Sequence, residues 1–501
     1  MKRLATAASV QAIDSQSRVQ ALSLMEAAGL SMFQCFEELE CAEPGIRVDV
    51  LVGKGNNGAD GLVFARHAAA AGYAVRIVRA RPDLGELCAL QLEALNDYDH
   101  TLIKDPDSWQ PSPDGVIVDA LAGTGVSGPL RGVYAELVSR AVEAQSVRIA
   151  LDVPSGARQG FQRGDPAFIA DYSFVVLPLK RFLFEPASRT LCGSIVPIDI
   201  SFGPSLVLQH ATAGTLVESE DLSLPRIPNH AYKKDRGHCL IVGGSEGKRG
   251  AAVLSAYGAA SSGSGLVSIA GDGPEAALWD PSFMQLTSVP ESEQALKAFS
   301  ATVIGPGWGR SSARVDMLTE LLAHSLGGVI DADGLWALSE LLKRAPGALP
   351  DLKGKWVLTP HPGEAAQLTG VGTDEILSDP MAALSGLSLQ LGTVIVLKTH
   401  TTWVFDGSRQ NAIEREEPGV FIVDGQEASI GTAGAGDVLA GIIGGLIATG
   451  LSPVEAAVQG VLLHQQAGKL GRQALGVYRA SELVRFVQHI VGAQRFGKDG
   501  I

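Results

Sequence analysis

The chain repeats one local pattern, in which a short apolar strand leads into a glycine-rich or polar loop and then into a helix. In the first example residues 48–52 are the strand, residues 53–61 read GKGNNGADG, and a helical stretch continues to residue 71. Further strands are predicted at 75–78, 116–118, 147–151, 173–177, 238–242, 266–270, 301–304, 329–331, 356–358 and 394–397. Strands that alternate with helices in this way form parallel sheets covered on both faces. The pattern therefore predicts an α/β fold.

The length of the chain predicts more than one domain. At 501 residues it exceeds the roughly 250–300 residues over which a single core usually grows. Residues 4–39, ahead of the first strand, are predicted to be helical. Periodicity fades between residues 201 and 228, where glycines and prolines interrupt the chain. We place the boundary near Gly214, with one domain over 1–214 and a second over 215–501.

Composition and charge exclude several classes of partner. The formal net charge is −14, whereas a nucleic-acid partner would require a basic face, so no nucleic acid is expected. The longest apolar run, residues 442–451, is short and glycine-rich, so it predicts a buried helix and no membrane span. The five cysteines are scattered without a CxxC pair, which argues against a disulfide framework or a zinc site. No signal peptide is predicted, and we expect a reducing, cytoplasmic setting.

Three loops in the first half follow predicted strands at their carboxyl ends. They are the GKGNNGADG loop, the loop that begins at Asp119, and the loop that begins at Asp152. Ligands of α/β proteins gather outside the carboxyl ends of parallel strands. The sequence therefore predicts that the three loops converge on one pocket.

The second half contains a glycine loop, residues 431–441, that reads GTAGAGDVLAG ahead of the apolar run. Crowded glycines let backbone N–H groups approach phosphate oxygens, and the amino end of a helix favours anions. Asp437 lies at this junction. Its carboxylate either caps the helix or takes a proton from a substrate hydroxyl that attacks a nucleotide phosphate.

Simpler structural explanations exist for several of these residues. Asn and Asp in the first glycine loop are common turn formers, and His361, between two prolines, can be a rigid corner. Lys180 lies near a strand end between apolar residues, which favours a snorkelling surface lysine outside the catalytic set. Trp308 and Trp336 are interpreted as packing residues.

Eight motifs in register give a more specific indication. GKGNNGADG, VDALAGTG, LDVPSG, IVGGS, IGPGWG, TPHPGE, VLK and GTAGAGDVLAG occur in this order over nearly the whole chain. This combination resembles the bifunctional NAD(P)H-hydrate repair enzyme family, in which an NAD(P)HX epimerase is fused to an NAD(P)HX dehydratase. The resemblance implies a Rossmann-like αβα sandwich for the first domain and a ribokinase-like α/β fold for the second.

For the first domain the resemblance implies epimerisation of the nicotinamide hydrate at carbon six. Asp152 would touch the reacting ring, and one carboxylate there can serve both the departing hydroxide and the returning water. A potassium ion would be bound by Asn57, Asp119 and Ser155, which offer the oxygen ligands of a hard cation without selecting potassium by themselves. The hydrate would be held by Asn56, Asn57, Gly58, Ala59, Asp60, Gly123, Thr124, Gly125, Val126, Ser127, Gly128 and Pro129.

For the second domain the resemblance implies that ADP phosphorylates the hydrate's hydroxyl, after which phosphate leaves, with AMP and phosphate as products. Asp437 would act on the hydroxyl, and a divalent ion, Mg²⁺, is expected with the nucleotide. Hydrate contacts would come from Gly307, His361, Pro362, Gly363, Glu364, Ala365, Ala366, Gln367 and Asp437. Nucleotide contacts would come from Lys398, Thr399, His400, Thr401, Thr402, Thr432, Ala433, Gly434, Ala435 and Gly436.

The chain departs from the family pattern at a few positions, and alternatives remain open. Ala433 and Ala435 replace a glycine and a threonine, Thr399 stands where glycine is usual, and Ala59 stands where glycine is common. The expected partners are NADHX, NADPHX and ADP, and a homo-oligomer is expected from the small-residue helix at 251–264 and the N-terminal helix. The alternatives are a ribokinase-like vitamin or sugar kinase and a non-catalytic Rossmann-like first domain.

Overall fold

The computed structural model describes residues 1–271, 280–344, 349–408 and 419–496. The chain divides into two compact units. The first unit is Lys2–Thr215 with Leu377–Asp379, and the second is Leu216–Ile376 with Pro380–Ile501 and Met1. Within the described part of the chain, no helix combines the length and apolar character needed to cross a membrane. All five cysteines carry free thiols.

The first unit contains a parallel sheet. After the short strand β1 (Lys2–Leu4), which is not part of this sheet, its strands are β2 (Arg47–Val52), β3 (Ala74–Arg79), β4 (Thr101–Ile103), β5 (Val116–Ala120), β6 (Val147–Leu151), β7 (Tyr172–Val176) and β8 (Ser194–Ile198). Its helices are α1 (Ala7–Gln16), α2 (Ala21–Glu38), α3 (Asn56–Ala70), α4 (Glu86–Ala94), α5 (Val133–Glu143), α6 (Pro186–Arg189) and α7 (Pro204–His210). The sheet order is β4-β3-β2-β5-β6-β7-β8, parallel throughout. The strands predicted for this half are confirmed.

Residues 4–39, predicted to be helical, contain the two helices α1 and α2, after a short strand that ends at Leu4. The first helix ends at Ser17, whose backbone is extended, and the second begins at Ala21. The Ser17 hydroxyl accepts a hydrogen bond from the Val19 N–H at 3.2 Å. A local bond of this kind competes with the helical backbone bonds, so a serine there favours a break.

From residue 214 onward the strands and helices again alternate. The strands are β9 (Gly214–Val217), β10 (His238–Val242), β11 (Leu266–Ala270), β12 (Met284–Leu286), β13 (Ala301–Ile304), β14 (Gly328–Ile330), β15 (Trp356–Leu358), β16 (Val394–Leu397), β17 (Thr401–Asp406) and β18 (Gly419–Asp424). The helices are α8 (Arg249–Ser261), α9 (Glu293–Leu296), α10 (Ser312–His324), α11 (Asp333–Arg344), α12 (Pro362–Thr369), α13 (Thr373–Ser378), α14 (Pro380–Leu391), α15 (Ala435–Ala448), α16 (Pro453–Leu475) and α17 (Ala480–Phe496).

The sheet of the second unit is parallel in its centre and antiparallel at one side. Its strands follow the order β18-β17-β16-β15-β14-β13-β10-β11-β12. The parallel strands were predicted, except β12, whereas the antiparallel pairs β16–β17 and β17–β18 were not. The residues of β17, TTWVFD, are β-branched and aromatic, so a strand signal was present after the motif at Lys398.

Helix α15, which follows the second glycine loop, packs closely on α8. A Cβ on Gly441 would lie 1.9 Å from the Ser255 carbonyl oxygen, and one on Gly258 would lie 2.2 Å from that of Val438. Only glycine permits backbones to approach so closely. The small-residue face of α8 is therefore buried within its own unit, which corrects the expectation that it forms a subunit interface.

Candidate active sites

The three predicted loops of the first unit meet around one cavity of about 490 Å³. The prediction that they converge is confirmed. Of the predicted residues, those that line this cavity are Asn56, Asn57, Asp60, Gly123, Thr124, Gly125, Val126 and Asp152. Ser127 and Gly128 line an adjoining cavity of about 300 Å³, together with Thr124 and Val126. Within residues 1–271, Gly58, Ala59 and Pro129 line neither of these two cavities.

Lys180 belongs to this cavity, and the interpretation as a snorkelling surface lysine is wrong. Its side chain is only 1% exposed, and its ammonium donates to Asp152 Oδ1 at 2.5 Å and to the Val176 carbonyl at 2.7 Å. The apolar neighbours Leu179 and Phe182 are buried, so the lysine stem enters the interior instead of reaching solvent. A buried ammonium requires an anionic partner, and Asp152 supplies it.

Two further carboxyl groups face the same cavity. Asp60 follows the glycine loop, and Asp14, on α1, was missed by the sequence analysis. Burial, reinforced by the charges of Asp152 and Asp14, raises the pKa of Asp60 well above its usual range, and Lys180 opposes the shift. Burial and the charge of Asp152 also raise the pKa of Asp14. The cavity thus gathers three aspartates around one lysine.

The predicted potassium ligands lie next to this cavity. Asp119 accepts hydrogen bonds from the Ser155 N–H and hydroxyl, both at 2.7 Å, and burial raises the pKa of Asp119 to about 6. The Ser155 hydroxyl also accepts from the Ala122 N–H at 2.9 Å. Asn57 is buried, and neither polar atom of its amide has a hydrogen-bond partner. Such an orphaned amide fits a ligand that is bound there.

The second glycine loop ends in a sharp turn at Gly434, where α15 begins. Gly434 has a φ of +90°, and a Cβ there would lie 2.4 Å from Leu254 Cδ1. Gly434 is the N-cap of α15, so Asp437 is the third residue of the helix and the interpretation of Asp437 as its N-cap is wrong. His464 donates from Nε2 to the Ala435 carbonyl at 3.0 Å, and burial lowers the pKa of His464 to about 4. The neutral imidazole of His464 therefore helps to hold the start of α15, a role that the sequence analysis missed.

Asp437 shares its surroundings with one lysine and several acids. Lys398 donates to Asp331 at 2.7 Å and lies 4.0 Å from Glu364. A Cβ on Gly436 would lie 3.6 Å from Lys398 Nζ, so the lysine faces the start of α15. Asp331 also accepts from the Thr359 hydroxyl at 2.8 Å. Asp331 was missed as a site residue, although it follows β14 just as Asp152 follows β6.

The environment of Asp437 brings the pKa of its carboxyl group close to neutral pH. Burial and the charge of Asp331 raise the pKa of Asp437 to about 7, and Lys398 partly opposes the shift. Glu364 and Asp333 act in the same direction as Asp331. A carboxyl group with a pKa near the working pH is suited to proton transfer.

His361 forms the rigid corner that was one of its two interpretations. Its Nδ1 accepts from the Gly363 N–H at 3.0 Å and the Glu364 N–H at 3.4 Å, while Glu364 Oε2 accepts from the His361 N–H at 2.9 Å. This reciprocal capping fixes the start of α12. Contact of His361 with substrate stays a prediction. Pro362, Ala365, Ala366 and Gln367 lie on the same helix, and Ala365 is buried in packing.

The remaining predicted residues are divided between loops and a strand. Thr401 and Thr402 belong to β17, and the Thr399 hydroxyl donates to the Thr401 carbonyl. Trp308 is buried, and Trp336 lies under the guanidinium of Arg310. Among the residues that the structure describes, no three or more His, Cys, Asp or Glu side chains are grouped to hold a metal ion.

Comparison with known proteins finds family matches in both halves of the chain. A family model described as NAD(P)H-hydrate dehydratase matches residues 239–489, and one described as YjeF-related protein N-terminus matches residues 21–180. The Bacillus subtilis structure titled ADP/ATP-dependent NAD(P)H-hydrate dehydratase, co-crystallized with ATP/Mg²⁺, is 24% identical, has a TM-score of 0.47, and covers 56% of this chain and 98% of that chain.

Two relatives are similar over most of their length, and both are named bifunctional NAD(P)H-hydrate repair enzyme Nnr. The one from Coxiella burnetii is 32% identical over 84% of each chain. The one from Moorella thermoacetica is 31% identical over 97% of this chain and 96% of the relative. These similarities, which span both units, show that the chain belongs to the bifunctional NAD(P)H-hydrate repair enzyme family.

Proposed function

We propose that the chain repairs hydrated nicotinamide cofactors with two active sites. Residues 1–214 interconvert the R and S epimers of NADHX and NADPHX, and residues 215–501 dehydrate the S epimer with ADP, giving AMP and phosphate. Besides the family similarity, one observation supports the proposal that Asp437 acts in the dehydration step. Asp437, with a pKa raised to about 7, stands at the start of α15 beside Lys398 and the bare backbone of Gly436.

In the dehydration step Asp437 accepts the proton of the C6 hydroxyl. The hydroxyl oxygen bonds to the β-phosphorus of ADP, and the bond from that phosphorus to the bridging oxygen breaks, which releases AMP. The C6–O bond of the phosphorylated hydrate then breaks, C5 loses a proton, and phosphate departs with the bonding pair. Phosphate is a far better leaving group than hydroxide. Backbone amides of residues 434–436 at the helix start would stabilise charge on the transferred group.

Mg²⁺ would accompany the ADP phosphates in this proposal and would neutralise their charge. Asp331 is already paired with Lys398 at 2.7 Å, whereas Glu364 is 4.0 Å from the same ammonium. Glu364 is therefore the carboxylate that fits a shared phosphate-bound ion, since Mg²⁺ is usually held by few carboxylates plus phosphate oxygens. The nucleotide segment Lys398–Thr402 would hold ADP itself.

In the epimerase site we assign proton transfer to Asp152. Lys180 holds the Asp152 carboxylate in position. Inversion at C6 requires hydroxide to leave one face and water to add to the other, so a proton is donated once and accepted once. Potassium would be held by Asn57, Asp119 and Ser155, and the unpartnered amide of Asn57 supports this set. The ion would supply fixed positive charge beside the hydrate.

Incubation of the full chain with mixed NADHX epimers and either ADP or ATP tests this function. We expect the near-ultraviolet absorbance of NADH to return as AMP and phosphate form, with ADP as the effective nucleotide. A stable phosphorylated product without NADH would instead support the vitamin or sugar kinase. In a full-length Asp437→Asn variant the epimers should still interconvert, and a frozen epimer ratio would support the non-catalytic first domain.

We also propose a cytoplasmic location and a homo-oligomeric state. The free thiols agree with a reducing cytoplasm. The homo-oligomer remains a prediction, which the exposed side chains of Leu22 and Leu30 on α2 support now that the small-residue face of α8 is buried.

A further inference from the structure

Two loops that supply no acid or base to the proposed reaction lie against each other at the carboxyl edge of the second sheet. One is the GGSEGKRG loop after β10, and the other is the GPGWG loop after β13. The Gly244 N–H donates to the Pro306 carbonyl at 2.9 Å, and the Ser245 N–H donates to the Gly307 carbonyl at 2.7 Å. These backbone bonds fix the position of Lys248 relative to the residues that follow Gly307.

Lys248 and Arg310 share a single carboxylate, that of Asp333 at the start of α11. Asp333 accepts from Arg310 Nε at 2.9 Å, from Lys248 Nζ at 3.2 Å and from the Gly309 N–H at 2.9 Å. Asp333 is 9% exposed, whereas the side chains of Lys248 and Arg310 are 54% and 48% exposed. The three side chains carry one net positive charge, and the two cations face solvent while the acid stays behind them.

This group is pre-positioned rather than loose. Burial tends to raise the pKa of Asp333, but Arg310, the Gly309 N–H and Lys248 outweigh it and lower that pKa. The Arg310 guanidinium also lies over the ring of Trp336, 5.9 Å from its centroid. A planar guanidinium held on an aromatic face presents its outer N–H groups as a fork that matches phosphate oxygens.

The group lies close to the site of phosphoryl transfer. Asp333 is near enough to Asp437 to contribute to its raised pKa. A Cβ on Gly307, one of the predicted hydrate contacts, would lie 2.4 Å from the Lys248 carbonyl oxygen. The nucleotide segment, by contrast, follows β16, which is separated from β13 by β15 and β14. Three strand spacings correspond to about 14 Å, so the strand that leads to Lys398 and the strand that leads to Arg310 lie about that far apart.

We propose that Lys248 and Arg310 form a subsite for the pyrophosphate of the nicotinamide hydrate, which rests on the proposed function. Lys248 supplies a mobile point charge and Arg310 a fixed pair of donors. Asp333 holds both in the empty site and remains bound to the Gly309 N–H when phosphate oxygens take over the cations. The ADP phosphates carry the same chemistry, and their binding on the side of Lys398 leaves this subsite to the hydrate.

Steady-state dehydration by full-length single variants tests the proposal. Lys248→Met and Arg310→Met should each raise the KM for NADHX about 10-fold or more, the effect of losing a charge-assisted hydrogen bond. The kcat and the KM for ADP should change less than about 2-fold, and Lys248→Arg should recover most of the affinity. Lys343→Met, at the far end of α11 with a side chain 63% exposed, is the matched control and should change nothing.

Two other kinetic results would overturn the assignment. A raised KM for ADP with an unchanged KM for NADHX would place ADP in the subsite, and a loss confined to kcat would place the pair in the chemistry. If the wild-type chain has no dehydratase activity, calorimetry with inorganic pyrophosphate still decides the subsite. Binding by wild type that is weakened about 10-fold in both variants supports it, and equal binding by all three proteins refutes it.

Discussion

The two active sites use the same pair of residue types, one aspartate and one lysine, in opposite arrangements. In the first unit Lys180 contacts the candidate acid itself, Asp152, at 2.5 Å. In the second unit Lys398 contacts the neighbouring Asp331 at 2.7 Å, and the pKa of Asp437 rises to about 7. The difference is one of pairing: the lysine of the first unit binds the candidate acid itself, whereas burial and the charge of Asp331 outweigh Lys398 and keep Asp437 able to exchange a proton near neutral pH.

The largest expected effect is on the rate of dehydration when Asp437, the acid of the second unit, is removed. Asp437→Ala should lower the rate of NADH recovery by roughly 100-fold to 10,000-fold, the range for loss of a positioned general base. The fold should remain intact because Asp437 does not cap α15. Epimer exchange, measured on the same protein, serves as the internal control. Near-normal dehydration by this variant would show that Asp437 is not the base.

The same truncation in the first unit should cost stability as well as activity, since it leaves the Lys180 ammonium buried without its partner. Asp152→Ala is expected to abolish epimerisation, leave dehydration intact and destabilise the first unit by about 3–5 kcal/mol in urea unfolding. Adding Lys180→Met should restore most of the stability but no activity. Asp83→Ala, which removes an exposed pair with Arg81, is the control and should leave the stability close to that of wild type. Equal stability of Asp152→Ala and wild type would contradict the paired arrangement.

The charges around Asp437 can be separated by the pH dependence of dehydration. Because the base must be deprotonated, kcat/KM for the hydrate at saturating ADP should fall as pH decreases through about 7. Lys398→Met removes the cation that opposes the raised pKa, so this acid limb should move to higher pH. Asp331→Asn removes an acidic neighbour and frees Lys398, so the limb should move to lower pH. Shifts in the same direction would show that Asp437 is not the titrating group.

Sequence reasoning succeeded where position along the chain determines position in the fold. The loop after β5 and the loop that begins at Asp152 each follow a parallel strand, so their convergence with the first glycine loop was predictable from strand order alone. Lys180 was misinterpreted because its partner lies 28 residues away and its apolar flanks are compatible with either surface or interior. His464 carries no local signal, since its bond to Ala435 depends on how two helices pack.

The sequence analysis also missed two acids near the proposed bases, Asp331 and Asp14. Asp331 lies after β14, and the rule that selected Asp152 would have selected it too. Asp14 lies on a helix ahead of the first sheet, where a single acidic residue has no distinguishing pattern. The motif at Lys398 predicted the nucleotide segment. The sequence analysis did not predict the strand β17, which carries Thr401, because β17 pairs antiparallel with β16 and departs from the strand–helix alternation.

The smallest expected effect concerns the stability of the second unit and follows from the sign of the Asp437 shift. Its pKa is raised from 3.8 to about 7 on folding, so the folded state binds the proton more tightly, and this contribution is lost as pH rises from about 4 through 7. Asp437→Asn has no such loss. The stability of the variant relative to wild type should therefore increase by about 3 kcal/mol, or a few degrees in Tm, between pH 5 and pH 8. A difference for Asp437→Asn that stays constant with pH would contradict the raised proton affinity of Asp437 in the folded state.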